Sequence, residues 1–309
     1  KMDIDLITNI LYATVRTGTP LILVALGEMV CEKSGVLNLG QEGMLLMGAV
    51  VGFMAAVTTG SLFVAVLLAI VAGILMSLLF GFLSITLVSN QVATGLALTI
   101  FGAGLSAFLG SSYVGVGITG IEPMSIPLLS EIPIIGKIFF QQDPLVYLSF
   151  ILFGLVFWIF KSSQIGLKIR AVGENPEAAN AMGINVHKVR YLAVIFGGAM
   201  TGLAGGYLSL AYTPLWAEGM SAGRGWIALA LVVFASWKAE RIMLGAYLFG
   251  AFSIMHLVMQ GLGFEVAPNL LAMLPYIATI AVLVLLSSNH MKTKLSAPMS
   301  LGTPYRPQV

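Results

Sequence analysis

Glu28, Glu32 and Glu42, with Lys33, Asn38 and Gln41 among them, are the densest group of chemically capable side chains in a chain that is only 9% charged. They lie in or beside apolar runs, where a charged side chain left alone in hydrocarbon costs about 2.5 to 3.5 kcal/mol on insertion scales. Each must therefore be paired, reached by water or placed at a membrane boundary. Nothing around them builds a metal site: His187, His256 and His290 are widely spaced, and Cys31 is the single cysteine, so neither metal-ligand spacing nor a disulfide framework is available. The Gly-x-x-x-x-Gly-Lys-Ser/Thr phosphate loop is missing, and no nucleophile stands with a base. The chain is expected to be non-catalytic, without metal or cofactor of its own. An ion-coupled transporter or channel would need carboxylates or histidines deep in its bundle, and apart from His256 the deep positions are uncharged.

A second group is built for contact. Glu174, Asn175, Pro176, Glu177, Ala178, Ala179, Asn180, Ala181, Met182 and Gly183 spell a short isolated helix. Asn175 can cap its free amides, Pro176 fits the first helical position, Glu177 complements the positive end of the dipole, and Gly183 can take the left-handed terminating conformation. Two turns are about 10 Å long and are not stable alone in water. Packing must hold this helix, and its alanines let another surface approach closely, with Met182 as an adaptable apolar contact.

The elements that carry these groups are apolar. Hydrophobic residues make up 58% of 309, which excludes a soluble domain. Between Glu42 and Glu122 there is no charged residue, room for three crossings at about 20 residues each. Apolar blocks predict nine transmembrane helices, near 6–30, 41–58, 62–88, 91–111, 144–160, 191–212, 222–236, 242–261 and 268–287: an all-α, polytopic membrane protein forming one domain over 1–309. An odd count puts the termini on opposite sides. With the C-terminus inside, Lys33, Lys161, Lys168, Arg170, Lys188, Arg190, Lys238, Arg241, Lys292, Lys294 and Arg306 all fall inside and only Lys1, Lys137 and Arg224 fall outside, so the N-terminus is expected outside. The inner loop 161–190 is the longest hydrophilic stretch and the place for a cytoplasmic partner. The outer loop 112–143, broken by Pro123, Pro127, Pro133 and Pro144, should form turns and short helices. A tail over 288–309 completes the inner side. Gly198, Gly202 and Gly206 give the sixth span a smooth groove for close packing, as Gly48 and Gly52 do for the second.

Three segments carry a family resemblance. Glu177-Ala178-Ala179, three residues and Gly183 resemble the coupling element of ATP-binding-cassette importer permeases. Gly27-Glu28 with Gly35-Val36-Leu37-Asn38-Leu39-Gly40-Gln41-Glu42-Gly43-Met44, and Gly223-Arg224-Gly225-Trp226-Ile227-Ala228-Leu229-Ala230, resemble segments of the branched-chain amino acid, ribose and nucleoside permease family, in particular its nucleoside branch. The resemblance implies a bacterial cytoplasmic (inner) membrane permease moving a nucleoside by alternating access, with riboflavin or a simple sugar as the alternative cargo. It implies an ATPase subunit carrying ATP and Mg, a second homologous permease subunit in a heterodimer, and an extracytoplasmic substrate-binding lipoprotein, with lipid around the chain and no nucleic acid. ATPase coupling would fall to Glu174, Asn175, Pro176, Glu177, Ala178, Ala179, Met182 and Gly183. Candidates for the substrate path are Asn38, Gln41, Glu42, Asn90, Gln91, Thr94 and Trp226, an amide-and-aromatic lining suited to a neutral hydrogen-bonding solute.

Overall fold

Backbone amides in hydrocarbon have no water to bond, so an apolar segment satisfies them within itself as a helix. The computed structural model, which describes residues 2–264, 266–267, 269–270, 273–287 and 297–307, holds helices α1 (Met2–Lys33), α2 (Gln41–Thr59), α3 (Leu62–Gly81), α4 (Gln91–Gly110), α5 (Ile135–Phe140), α6 (Pro144–Ser162), α7 (Gln164–Glu174), α8 (Pro176–Ala181), α9 (Val186–Tyr207), α10 (Arg224–Phe234), α11 (Ala239–Gly261) and α12 (Leu274–Ser287). No strand occurs among the described residues. α3 and α9 run on into π-helical turns, Phe82–Thr86 and Leu208–Tyr212. Among the described residues seven helices, α1, α2, α3, α4, α6, α9 and α11, are long and apolar enough to cross a membrane.

The crossing predicted over 222–236 needs correction. α10 has 11 residues, about 16 Å, half of a roughly 30 Å hydrocarbon layer. Gly223 at φ +80° opens it, and Ser236 and Trp237, both at positive φ, turn the chain away at its end. The segment predicted over 268–287 is represented by α12, while 268, 271 and 272 lie outside the described residues. So do Lys1 and 288–296, with His290, Lys292 and Lys294.

α1, α2 and α9 form the centre. Their most apolar windows are 72%, 72% and 78% buried, against 22% for α4 and α6. Small residues bring the central helices together: a Cβ on Gly48 would lie 2.6 Å from the Gly202 carbonyl oxygen, and one on Gly73 would collide with that of Gly198. α2, α3 and α9 therefore touch backbone to backbone, as the glycine spacing implied.

Pro20 lies inside α1 and has no amide to give the Arg16 carbonyl one turn earlier. The fully buried Tyr207 supplies the missing donor, its hydroxyl bonding that carbonyl at 2.8 Å. The Arg16 guanidinium lies over Tyr212, donates to the Ala211 carbonyl at 2.9 Å and stands 4.0 Å from Asp143. Asp143 in turn accepts the first free amides of α6, from Leu145 and Val146. Burial lifts its carboxyl above the usual range, against the Val146 amide and Arg16, which lower it. The connection over 112–143 folds into a 3-10 turn at Ser111–Tyr113, a short backbone pairing of Met124 with Gln142 and Ile126 with Phe140, and α5.

Charge separates along the bundle. Lys137 bonds Asn9 beside the start of α1. Lys33 ends α1 and Lys161 ends α6, and α7, α8 and the start of α9 follow at that same end.

Tyr207→Phe removes one hydroxyl and leaves the Arg16 carbonyl buried without its donor, a cost of about 1–3 kcal/mol. The thermal midpoint of the purified chain in detergent should fall by several degrees. An unchanged midpoint would mean that the carbonyl has another donor.

Candidate functional site: a half-helix held at both ends

The stretch between α1 and α2, residues 34–40, is not helical, yet Ser34, Val36, Asn38 and Gly40 are all buried. Buried backbone that is not helical is tolerated only where protein or trapped water satisfies its polar groups. Here protein does so, residue by residue. The Leu37 amide donates to Gln91 Oε1 on α4 at 2.8 Å, the Asn38 amide to Glu28 Oε1 on α1 at 3.0 Å, and the Gly40 amide to the Asn38 side chain at 2.8 Å. The Ser34 carbonyl accepts from Arg190 on α9 and the Leu39 carbonyl from Thr99 on α4. Glu28 is fully buried, and its second oxygen accepts from the Gln41 amide group, whose own oxygen accepts from Thr201 in the interior of α9. The carboxylate, the amide and the hydroxyl thus lock α1, α2 and α9 into one polar joint.

Two more carboxylates of this group hold α10. A helix begins with amides that have no partner inside it, and Gly223 at the start of α10 has no side chain to cap them. Glu42, at the start of α2, does so from across the fold: its carboxylate accepts the Gly223 amide at 2.8 Å, the Gly225 amide at 2.7 Å and the Ser221 hydroxyl at 2.5 Å. A negative group there also complements the helix dipole. The approach requires glycine, because a Cβ on Gly225 would lie 2.5 Å from the Glu42 backbone nitrogen. Past the far end of α10, Trp237 donates its indole N–H to Glu32 at 2.6 Å. The half-helix is therefore held at both ends by carboxylates next to the irregular loop.

The predicted path residues fall into two groups. Asn38, Gln41 and Glu42 are brought together and bonded within the chain. Asn90 caps α4 through the Ala93 amide, Thr94 bonds the Asn90 carbonyl, and Gln91 is buried with its Nε2 unbonded among the described residues. Trp226 stands apart on α10, 39% exposed. Sequence reasoning did not place Thr201, Ser221 or Trp237 in this network. The available signal was Gly223 and Gly225 at a helix start with no capping side chain, which asks for a cap from elsewhere.

The predicted contact helix forms as α8. Asn175 accepts the Ala178 amide at 2.9 Å, Pro176 stands at the first helical position, and Gly183 closes the helix at φ +82°. Ala179 faces inward, in a cluster with Val172 of α7 and Val186 of α9. Glu174, Glu177, Ala178, Ala181 and Met182 face out, Met182 with 82% of its surface bare. α7 lies hard against the end of α1, where a Cβ on Gly173 would collide with the Lys33 carbonyl.

A bundle of membrane-crossing helices with a buried half-helix, and a small capped helix bare at one end, define a multi-pass membrane protein of the transporter kind. Comparison with known sequences gives the family. Residues 10–283 match the branched-chain amino acid transport system permease component, and the chain belongs to that family, as a permease component of an ABC transporter. It is 41% identical to a Haloferax volcanii protein named as a glucose ABC transporter permease, over 96% of this chain and 97% of the relative. It is 34% identical to a guanosine ABC transporter permease of Bacillus subtilis, over 98% of each chain, and 32% identical to a nucleoside ABC transporter permease of Lactococcus lactis, over 93% of each.

Glu42→Ala leaves the Gly223 and Gly225 amides and the Ser221 hydroxyl without their acceptor, at about 1–3 kcal/mol for each group that finds no substitute. Transport should drop by at least about tenfold, since 1.4 kcal/mol is a factor of ten. Glu42→Gln, which keeps an acceptor oxygen, should retain more. Equal activity of the two variants and the unsubstituted chain would show that α10 needs no external cap.

Proposed function

We propose that this chain is the membrane-spanning subunit of an ATP-driven importer for a neutral, sugar-bearing solute, with a nucleoside as the first reading. The observation that carries the ATP-driven part is α8. It is a capped two-turn helix whose Ala178, Ala181 and Met182 are bare, and no described residue covers that surface. A nucleotide-hydrolysing subunit docking there through Glu174, Asn175, Pro176, Glu177, Ala178, Met182 and Gly183, with Ala179 seating the helix from beneath, would give it a use. The basic residues gathered at this end, Lys33, Lys161, Lys168, Arg170, Lys188 and Arg190 among them, support a reading in which it is the cytoplasmic one, with the N-terminus of α1 outside.

Relatives named for guanosine and for nucleosides support a nucleoside cargo. The relative at 41% identity supports glucose as a second reading. Both cargoes present hydroxyls on a sugar ring, and both suit a path of hydrogen-bonding and aromatic groups better than an ion would. In this reading Trp226 and the polar start of α4, with Asn90 and Thr94, face the path in an assembly with a second permease subunit, and the buried Gln91 behind them holds the Leu37 amide of the loop. Glu42 fixes the start of α10 beside it, while Asn38 and Gln41 hold the loop and the Glu28 joint next to Glu42. An extracytoplasmic binding lipoprotein delivers the solute, and closure of the ATPase, pushing on α8, alternates which side is open.

The test is purification of the tagged chain with its co-expressed ATPase, followed by ATP-dependent uptake in proteoliposomes of labelled guanosine and labelled glucose. ATP-driven uptake of one, blocked by Glu177→Arg together with loss of the ATPase from the complex, is the expected result and selects the cargo. Uptake that proceeds at the same rate without ATP would contradict the reading.

A further inference from the structure

The C-terminal tail contributes to α8 in a way that the family elements of the sequence do not account for. Residues 297–307 return to the inner end of the bundle and are tied there at several points. The Ser300 amide and hydroxyl both donate to the Gly173 carbonyl at the end of α7, at 3.0 and 2.5 Å, and the Gly302 amide donates to the Gly35 carbonyl at 3.1 Å. Arg190 clamps the arrangement. Only 2% exposed, it donates to the Ser34 carbonyl at 3.1 Å, to the Thr303 carbonyl at 3.1 Å and to the Ser300 hydroxyl at 3.4 Å. One guanidinium therefore joins α9, the irregular loop after α1 and the tail, and its fixed fork suits three acceptors in different directions.

Beyond this clamp the tail reaches α8. Tyr305 is buried against Ala179 of α8, Val172 of α7 and Val186 of α9, and its ring meets His187 edge-on at 5.6 Å. A helix of two turns has no stability of its own, and Tyr305 is the largest side chain in the cluster beneath it. Between α8 and the tail lies an open cleft of about 450 Å³, bordered by Asn180, Asn185, His187, Tyr305 and Pro307. His187 Nε2 is buried and has no bonding partner among the described residues. The cleft adjoins the bare face of α8.

We propose that residues 297–307 are part of the ATPase-docking surface: Tyr305 is a positioning residue for α8, and the cleft between α8 and the tail receives a polar side chain of the ATPase. This rests on the reading of α8 as the ATPase contact. The tail is then a strut. A push on α8 reaches Tyr305, Ser300 and Arg190, and through them the loop that carries Asn38 and the Glu28 joint.

The experiment uses the full chain with its ATPase in proteoliposomes and reads two quantities, ATPase retained on the tagged chain and solute moved per ATP hydrolysed. Tyr305→Ala should lower solute moved per ATP by about tenfold, the effect of losing one well-packed contact of about 1.4 kcal/mol, while Tyr305→Phe, which keeps the ring, restores it. Pro307→Trp, an exposed substitution that crowds the cleft without touching the core, should lower ATPase retention by a similar factor. An unsubstituted ratio in Tyr305→Ala would overturn the positioning role, and unsubstituted retention in Pro307→Trp would overturn the cleft. Glu177→Arg is run alongside. If it too leaves the ATPase bound, the α8 reading itself fails; if it releases the ATPase while the tail variants behave as the unsubstituted chain does, only the tail inference fails.

Discussion

Backbone that leaves the helix where water cannot reach it must find its hydrogen-bond partners from its own protein. The structure turns on how residues 34–40 and the start of α10 meet that demand. Glu28, Asn38, Gln91, Thr99 and Arg190 serve the loop, and Glu42 serves the half-helix. The same groups fix where α1, α2, α4, α9 and α10 stand relative to one another. Because a buried polar group without its partner costs more than its bond contributes, these elements are expected to move together or not at all. That is a useful property in a protein whose family moves solutes across membranes.

The glycines make this economy possible. Carbonyls and amides of neighbouring helices can share one polar side chain only if the helices approach closely, and Gly48, Gly73, Gly198 and Gly202 bring α2, α3 and α9 into backbone contact. Gly225 does the same where α10 meets Glu42. With apolar lipid offering no hydrophobic drive between helices, such packing and such bonds supply much of the association. The end of the bundle at the start of α1 is tied differently. There Arg16 links α1 to the end of α9 and to the start of α6, using carbonyls, an aromatic face and one carboxylate.

Much of this was legible in the sequence. The long apolar runs announced most crossings, the glycine spacing in α9 announced its packing, and Asn175, Pro176 and Gly183 placed α8 to within a residue because each acts locally. The half-length of α10 was not legible. Residues 222–236 are apolar enough to read as a crossing, and what stops the helix is the left-handed backbone at Ser236 and Trp237, residues whose types do not ordinarily mark such a turn. The partners of the carboxylates were hidden for another reason. Glu42 finds Ser221 and Gly225, and Glu32 finds Trp237, across most of the chain's length. No local pattern reports a contact that only the packed bundle creates. The tail was hidden likewise, since Tyr305 gains its meaning only when it lies against Ala179.

Amide hydrogen exchange on the purified chain in nanodiscs tests this account most directly, because it reads whether the irregular segments are held. Peptides covering 34–40 and 221–226 are expected to exchange as slowly as the helices on either side, although the first is irregular and the second is a turn running into the start of α10. In Glu42→Ala the second should quicken while the first stays slow. Exchange of both segments in the unsubstituted chain at the rate of open loops would contradict the claim that buried carboxylates and amides hold the broken backbone together.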